Sequence, residues 1–343
     1  MISTLLNARR IAVVGVAKNC GKTTTLNHLI LLAEAQERTL GLMSVGIDGE
    51  SEDVLLGTAK PPIRVTTGQW VVTAEEAAHA STASLEYFET LGFDTPLGEV
   101  VVAKVIGDGE IILAGLRHRA DMRDAIERLE AQNVDLILID GAYGRVTAAH
   151  AGLTDGVVIS TGAIVSPQVE VIIERTRHLI ERLTLPEIQE PWLMRLLNQS
   201  VEEGRCLLAG PTIAAIPLIA NSALVGLPHS RSLWTDDVKA IAVPGVVSDR
   251  VVDELLRAGG AGRTLIIGDG TNLQTDNRHL ERLRRTWTIQ VPHSTQVLGI
   301  AINPTSVQGW TVSEDELLQG LRTQWPEITI FNPDHGLVST SMS

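Results

Sequence analysis

Cysteine is scarce in this chain of 343 residues, which contains only Cys20 and Cys206. Two cysteines give no disulfide framework. The nine histidines are dispersed and show neither Cys-x-x-Cys nor His-x-x-x-His spacing, so we expect no structural zinc site. The low cysteine content favours a reduced, cytoplasmic setting.

Aromatic residues and positive charges are also scarce. Aromatic residues make up 3% of the chain, and the formal net charge is −13. Few aromatic platforms are available for stacking on single-stranded nucleic acid, and the acidic balance disfavours non-specific binding to nucleic acid or to an anionic membrane. No apolar run reaches the roughly 18 residues that a membrane helix needs, and the first ten residues, MISTLLNARR, do not resemble a secretory signal. We therefore expect neither a nucleic-acid partner nor a membrane partner.

The stretch RIAVVGVAKNCGKTTTLNHLI, residues 10–30, predicts a strand, a glycine-bounded loop and a helix. This order, with Lys-Thr at the start of the helix, is the pattern of a phosphate-binding loop. The backbone N–H groups of such a loop converge on an anion at the helix N-terminus. Lys22 would supply a charge for the outer phosphates, and Thr23 a hydroxyl for Mg²⁺. The alternative is a glycine-rich turn that merely links a strand to a helix.

We predict that the loop binds a nucleoside triphosphate, with ATP and Mg²⁺ as the expected ligands. Cys20 lies inside the loop, where a helix N-terminus can lower the pKa of a thiol and make it reactive; the other interpretation is a small side chain that fits. The residues predicted to bind the nucleotide here are Gly15, Lys18, Asn19, Cys20, Gly21, Lys22, Thr23 and Thr24.

Strand-like and helix-like segments alternate along the chain, which predicts an α/β fold with a mainly parallel, doubly wound sheet. Residues 74–90 are rich in Ala and Glu and predict a helix, whereas 192–197 look strand-like. Four prolines between 184 and 217 mark a break in the alternation. We therefore predict a phosphate-loop domain over 1–205 and a smaller α/β domain over 206–343.

Acidic residues follow two of the predicted strands, where ligands bind in doubly wound sheets. Asp140 ends the apolar run VDLILI and is predicted to hold Mg²⁺ through water or to accept a hydrogen bond from Thr23. Asp48 follows the strand over 39–45 and is a candidate for both metal binding and catalysis. Glu50 and Asp53 are rival candidates for the same role, and a solvated acidic turn is the alternative.

Three further polar residues are candidates by position. Arg145, five residues after Asp140, would bond a phosphate or a substrate carboxylate, although it would equally suit a surface ion pair. Asn198, at the end of the strand-like segment over 192–197, is a candidate for contacting the base. Asn303 precedes Pro304 at another strand end, and would shape a ligand site in the second domain or form a turn.

Five residues separate Gly15 from Gly21, where the common phosphate loop has four between its glycines. In this spacing the chain resembles dethiobiotin synthetase and its relatives in the SIMIBI class, which includes the MinD/ParA-type ATPases. The resemblance implies an aspartate near the γ-phosphate at the position of Asp48, an asparagine that bonds the base, and a homodimer around the nucleotide. MinD/ParA-type ATPases often carry a second lysine where this chain has Ala17. A lysine follows at Lys18, for which a role across a subunit interface stays open.

A narrower resemblance rests on the loop AKNCGKTTT and on four short stretches: SVGIDGE (44–50), KPPI (60–63), IDGAYGR (139–145) and INPTSVQG (302–309). These resemble proteins encoded beside cobalamin-dependent lysine and ornithine aminomutases, which implies an ATP-dependent factor that reactivates such an enzyme. The family usually has a basic residue where this chain has Ile47.

Three functions are compatible with these features. The first is an NTP hydrolase whose catalytic residues include Lys22, Asp48 and Arg145, and which drives a conformational switch acting on a partner protein. The second is an ATP-dependent ligase or kinase for a small carboxylate or amine, with Lys104 as an additional pocket residue. The third is a binding module whose nucleotide is structural.

Overall fold

The computed structural model describes residues 5, 7–45, 52–53, 58–59, 61–116, 118–141 and 152–335. The chain divides into two compact units: unit 1 comprises Met1–Leu179 with Gln296–Ser343, and unit 2 comprises Ile180–Thr295. The predicted division into 1–205 and 206–343 differs from these units in two ways. Unit 2 begins earlier, at Ile180, and the residues from Gln296 onward belong to unit 1. The chain returns to unit 1 after residue 295 because two late strands pair within the sheet of that unit.

Helices and strands alternate through most of the chain. The helices are α1 Lys22–Glu34, α2 Glu75–His79, α3 Arg119–Ala131, α4 Val169–Leu183, α5 Pro191–Glu203, α6 Ala223–Gly226, α7 Asp249–Ala258, α8 Asn277–Arg284 and α9 Glu314–Gln324. The strands are β1 Arg10–Gly15, β2 Leu40–Ser44, β3 Glu52–Asp53, β4 Thr58–Ala59, β5 Ile63–Val65, β6 Trp70–Ala74, β7 Ser84–Thr95, β8 Gly98–Gly107, β9 Gly109–Ile111, β10 Leu136–Asp140, β11 Gly156–Gly162, β12 Leu207–Gly210, β13 Ile213–Pro217, β14 Ala240–Val243, β15 Val247–Ser248, β16 Arg263–Ile267, β17 Leu273–Gln274, β18 Trp287–Gln290, β19 Val297–Asn303 and β20 Thr329–Phe331. None of the described helices combines the length and the apolar character needed to cross a membrane.

Unit 1 is built on a nine-stranded sheet in the order β20-β19-β11-β1-β10-β2-β6-β8-β7. All strands from β20 to β6 are parallel, and β8 and β7 run antiparallel to their neighbours. Successive residues of a strand point to opposite faces of the sheet. Ser160 of β11 bonds to α1, and Thr161 bonds to α4. Helices therefore cover both faces, which confirms the predicted α/β, doubly wound and mainly parallel architecture.

Unit 2 contains a five-stranded sheet in the order β13-β12-β14-β16-β18. β14, β16 and β18 are parallel, whereas β12 runs antiparallel to both of its neighbours. Buried residues form a core on each face of this sheet, because alternate residues such as Ile241 and Ala242 belong to different apolar clusters. Unit 2 is therefore a smaller α/β unit with its own core.

Two segments differ from their predicted secondary structure. The predicted helix over 74–90 is wrong, since α2 ends at His79 and β7 follows. β7 pairs with β8, for example at Glu86 and Lys104, and this tertiary pairing outweighs the local composition. The strand-like interpretation of 192–197 is also wrong: these residues lie in α5, which begins with Pro191 and is followed by Gly204 in the left-handed conformation.

Candidate functional site

The glycine-bounded loop, residues 16–21, leaves β1 at its carboxyl end and leads directly into α1. β1 lies between β10 and β11 and is parallel to both. Asn19 and Gly21 adopt positive φ angles of 60° and 95°. Such left-handed residues turn successive backbone N–H groups toward one side and form an anion-binding concavity. The predicted sequence of strand, loop and helix is therefore confirmed in the structure.

Gly15 is required by close packing beneath the loop. A Cβ atom at this position would lie 2.5 Å from Cys20 Sγ and 3.1 Å from Lys22 Cδ. The Lys22 side chain therefore passes close to Gly15, whose hydrogen leaves the necessary space. The loop forms a cradle that any larger residue at position 15 would partly fill.

The Cys20 thiol is buried against the loop backbone. Burial raises the pKa of the Cys20 thiol above its ordinary value, and this effect outweighs the opposing influences of the Lys22 charge and of hydrogen bonds from the loop backbone. This direction is opposite to the lowered pKa that a reactive thiol needs. Of the two interpretations, a small side chain that fills space is the one that the structure supports.

Within the part of the chain that the structure describes, the N-terminus of α1 has neither a side-chain cap nor an acidic residue in its first turn. Gly21 is the N-cap. The first N–H groups of a helix carry partial positive charge and need acceptors from outside the helix. Lys22, Thr23 and Thr24 in this turn are all half-buried. This end of α1 therefore has the charge and the donors that suit an external anion.

Asp140 is at the carboxyl end of β10, beside the loop strand. Its Cα is paired with that of Val13 in β1 and with that of Ser44 in β2. Gly141 N donates to Val13 O at 2.9 Å, which fixes the turn that follows Asp140. The structure thus places Asp140 at the carboxyl end of β10, next to the end of β1 where the loop begins, as the sequence predicted. Its contact with Mg²⁺ stays a prediction.

The structure places only some of the other candidate acidic and basic residues. Asp48, Glu50 and Arg145 lie outside the described residues, so their proposed roles stay predictions. Asp53 lies in β3, whose Cα positions pair with those of β4. Lys104 lies in β8, four strands from β1 in the sheet order, and its Nζ is 5.7 Å from the centre of the Trp70 ring. This places Lys104 away from the loop strand.

Asn198 does not occupy a strand end. It is an exposed residue of α5 in unit 2, so the positional argument for a base contact no longer applies to it.

Asn303, the last residue of β19, instead lies beside the loop in unit 1. A Cβ atom on Gly21 would be 3.4 Å from both Cβ and Nδ2 of Asn303. Thr305 N donates to Asn303 Oδ1 at 3.0 Å, and Asn303 O accepts from Ala163 N at 2.8 Å. The bond from Thr305 N fixes the side-chain oxygen, and the amide nitrogen lies near the start of α1. The Asn303-Pro304 pair at the end of an apolar strand marked this position as a candidate ligand site. The sequence did not show that β19 joins the sheet of unit 1, which brings the pair beside the loop.

Comparisons with known proteins leave the family open. No protein-family model matches the chain, and no curated protein is significantly similar to it. Among solved structures, the chain is similar to pNOB8 ParA bound to nonspecific DNA, at 13% sequence identity and a TM-score of 0.26. The similarity covers 56% of this chain and 73% of that chain. A similarity this weak carries no argument about this chain, and the functional inference therefore rests on the geometry of the loop.

Proposed function

We propose that the protein binds and hydrolyses a nucleoside triphosphate, with ATP as the expected nucleotide and Mg²⁺ as the metal. The observation that carries this proposal is the concave loop of residues 16–21 at the N-terminus of α1. In this loop Asn19 and Gly21 are left-handed, and the Lys22 side chain packs against Gly15. The first turn of the helix that follows contains no acidic residue. Backbone donors and a mobile lysine are the groups that bind the phosphates of a nucleotide.

The donor set of the site suits Mg²⁺. This ion prefers oxygen ligands and keeps several waters while it bridges one or two protein groups to substrate phosphates. The Thr23 hydroxyl in the first turn of α1 and the Asp140 carboxylate at the carboxyl end of β10 are the groups proposed to hold it. When bound, the ion neutralises charge on the phosphates. Asp48 and Arg145 are proposed to act at the γ-phosphate, in keeping with the SIMIBI resemblance.

Asn303 replaces Asn198 as the proposed base contact. Its Oδ1 already accepts from Thr305 N, so its amide nitrogen is the group proposed to donate to the nucleotide beyond Gly21. An amide donor recognises a ring nitrogen or carbonyl acceptor of the base.

Hydrolysis is proposed to drive a conformational switch that acts on a partner protein. The narrower sequence resemblance supports a cobalamin-dependent aminomutase as that partner, and the SIMIBI resemblance supports a homodimer around the nucleotide. The low cysteine content supports a cytoplasmic location. In a switch of this kind, loops ordered by the γ-phosphate relax after hydrolysis. The second candidate, a ligase or kinase for a small metabolite, loses one of its pocket residues because Lys104 is far from β1 in the sheet order.

Nucleotide binding is tested by thermal unfolding with ATP, GTP and CTP in the presence of Mg²⁺. A ligand at 100 times its Kd stabilises the folded state by about 2.7 kcal/mol, so one nucleotide is expected to raise Tm clearly. Lys22→Ala is expected to abolish this rise. Lys239→Ala, which removes an exposed lysine in unit 2, is the matched control and is expected to keep it. If no nucleotide shifts Tm of the wild type, the proposal is wrong.

The two candidate functions are separated by steady-state hydrolysis. A switch is expected to hydrolyse ATP slowly alone and faster with its partner protein. Nucleotide consumption that depends on a small carboxylate or amine would instead support the ligase or kinase. Rapid turnover on ATP alone would contradict the switch.

A further inference from the structure

We propose that Ser160 of β11 is a positioning residue that holds the nucleotide loop at both of its ends, an inference that rests on the proposed nucleotide binding. Ser160 is fully buried and pairs with Gly15 across the sheet. Its main-chain oxygen accepts from Val16 N at 3.0 Å, which anchors the first residue of the loop.

The far end of the loop is held through a second residue, Thr25 of α1. Thr25 Oγ1 donates to Gly21 O at 2.9 Å, and Thr25 Oγ1 and Ser160 Oγ are also 2.9 Å apart. Because the single hydroxyl hydrogen of Thr25 is used by Gly21, Ser160 is the donor of the second bond. The relay therefore runs from Ser160 Oγ to Thr25 Oγ1 and then to Gly21 O, with both side chains buried.

Fixing Gly21 O also fixes a donor of the proposed anion site. In a trans peptide unit the carbonyl of one residue and the N–H of the next point in opposite directions. Gly21 O is held toward the body of α1 by Thr25, through both its N and its Oγ1. The N–H of Lys22 consequently points out of the helix, toward the concave side of the loop. A loop held in this orientation before binding loses less conformational freedom when the nucleotide binds.

The same strand provides a matched control. Thr161, the next residue, is also fully buried and forms a hydroxyl bond of 2.8 Å with Thr176 of α4, on the opposite face of the sheet. Thr176 additionally donates to Ile172 O, as Thr25 does to Gly21 O. Thr161→Val therefore removes a comparable buried hydrogen bond that does not lead to the loop.

The test compares nucleotide affinity with unfolding of the ligand-free protein. Kd for the Mg²⁺ complex of ATP is measured by titration calorimetry, and Tm is measured without nucleotide. Removing one net hydrogen bond is expected to weaken binding about five-fold in Ser160→Ala and in Thr25→Val. Thr161→Val is expected to lower the Tm of the ligand-free protein about as much as Ser160→Ala does, but to change Kd less than about two-fold. Thr25→Ser, which keeps the hydroxyl, is expected to restore the wild-type Kd.

A double variant tests whether the two hydroxyls act as one relay. If they do, Ser160→Ala combined with Thr25→Val is expected to bind no more weakly than Thr25→Val alone, because the two changes break the same connection. A wild-type Kd in Ser160→Ala, or equal weakening by Thr161→Val, would overturn the role of Ser160 while leaving the nucleotide site in place. Absence of binding to the wild type would overturn the proposed function, and with it this role.

Discussion

Helix N-termini follow parallel strands in both units, but the terminus of α1 in unit 1 differs from two such termini in unit 2. In unit 1, Gly21 is the N-cap of α1, which has no capping side chain among the described residues and no acidic residue in its first turn. In unit 2, Asp276 is the N-cap of α8, and its Oδ1 accepts from His279 N at 2.8 Å. After β16, Asp269 Oδ1 accepts from Thr271 N at 2.7 Å. A carboxylate of the chain thus accepts a hydrogen bond at each of these two termini of unit 2, whereas no side chain among the described residues caps α1.

This difference shows why similar topology does not imply similar ligands. A carboxylate from the chain satisfies the terminal N–H groups and offsets the helix dipole, so an external anion gains little there. A lysine and a glycine-bounded loop leave both the charge and the donors for a ligand. The anion site is therefore expected in unit 1. Of the four changes below, two alter a helix N-terminus, one tests the packing of unit 2 and one tests a titration in unit 1.

The largest effect is expected from Gly270→Ala in unit 2. A Cβ atom at this position would lie 1.7 Å from Arg182 O, a backbone atom that has no rotamer with which to move away. We expect a loss of about 4 kcal/mol in the free energy of unfolding, measured by urea titration with tryptophan fluorescence. Gly245→Ala is the control, since nothing lies within 4 Å of its added Cβ. Equal stability of the two variants would contradict this packing.

A second change makes unit 1 resemble unit 2. Thr24→Glu places a carboxylate in the first turn of α1, where it stabilises the helix by about 0.5 kcal/mol and competes with an external anion. We expect Tm without ligand to rise slightly and nucleotide affinity to fall at least about ten-fold, because like charges repel. Thr24→Gln, of similar size and uncharged, separates charge from bulk. If Thr24→Glu bound nucleotide as tightly as Thr24→Gln, the electrostatic part of the comparison would fail.

The reverse change removes the built-in anion from unit 2. Asp276→Ala deletes the N-cap of α8 and is expected to lower the free energy of unfolding by about 1 kcal/mol. Asp276→Asn retains a capping oxygen and is expected to lose less. Chemical denaturation of both variants measures the difference, and a result in which Asn and Ala are equally destabilising would show that the cap is unimportant.

The smallest effect concerns pH. His28 of α1 is buried and stacks on Phe331 at a ring separation of 5.3 Å. Burial lowers the pKa of His28, against the opposing effects of a hydrogen bond to the Pro333 backbone and of the Asp334 charge. The unfolded chain therefore takes up this proton at a higher pH than the folded protein does. Stability from neutral His28 is fully present above about pH 6.5 and is lost as pH falls below it.

His28→Phe is expected to remove this part of the pH dependence, which for one proton is at most about 1.4 kcal/mol per pH unit. Urea unfolding at pH 8 and pH 5.5 measures the difference between variant and wild type. If the free energy of unfolding changed by the same amount between these two pH values in both proteins, His28 would not titrate in this range.

Most of unit 1 was predictable because its signals are local. The apolar run over 11–14, the glycines at 15 and 21, and the amphipathic segment from Lys22 define β1, the loop and α1 without reference to the rest of the chain. One error arose where pairing at a distance decides structure, since residues 84–95 become β7 because β8 lies beside them. The other came from a short apolar run that looks strand-like but belongs to the helix over residues 191–203.

The sequence alone determined the α/β class, the phosphate-loop pattern and the position of Asp140 at a strand end, since hydrophobic periodicity and glycine spacing are properties of neighbouring residues. Only the tertiary structure decided that β19 and β20 return to the first sheet, that Asn303 rather than Asn198 lies beside the loop, and that Ser160 and Thr25 connect the two loop ends. These relations join residues more than a hundred positions apart. Parallel pairing brings them together, and no local pattern records which strand will be the neighbour of another.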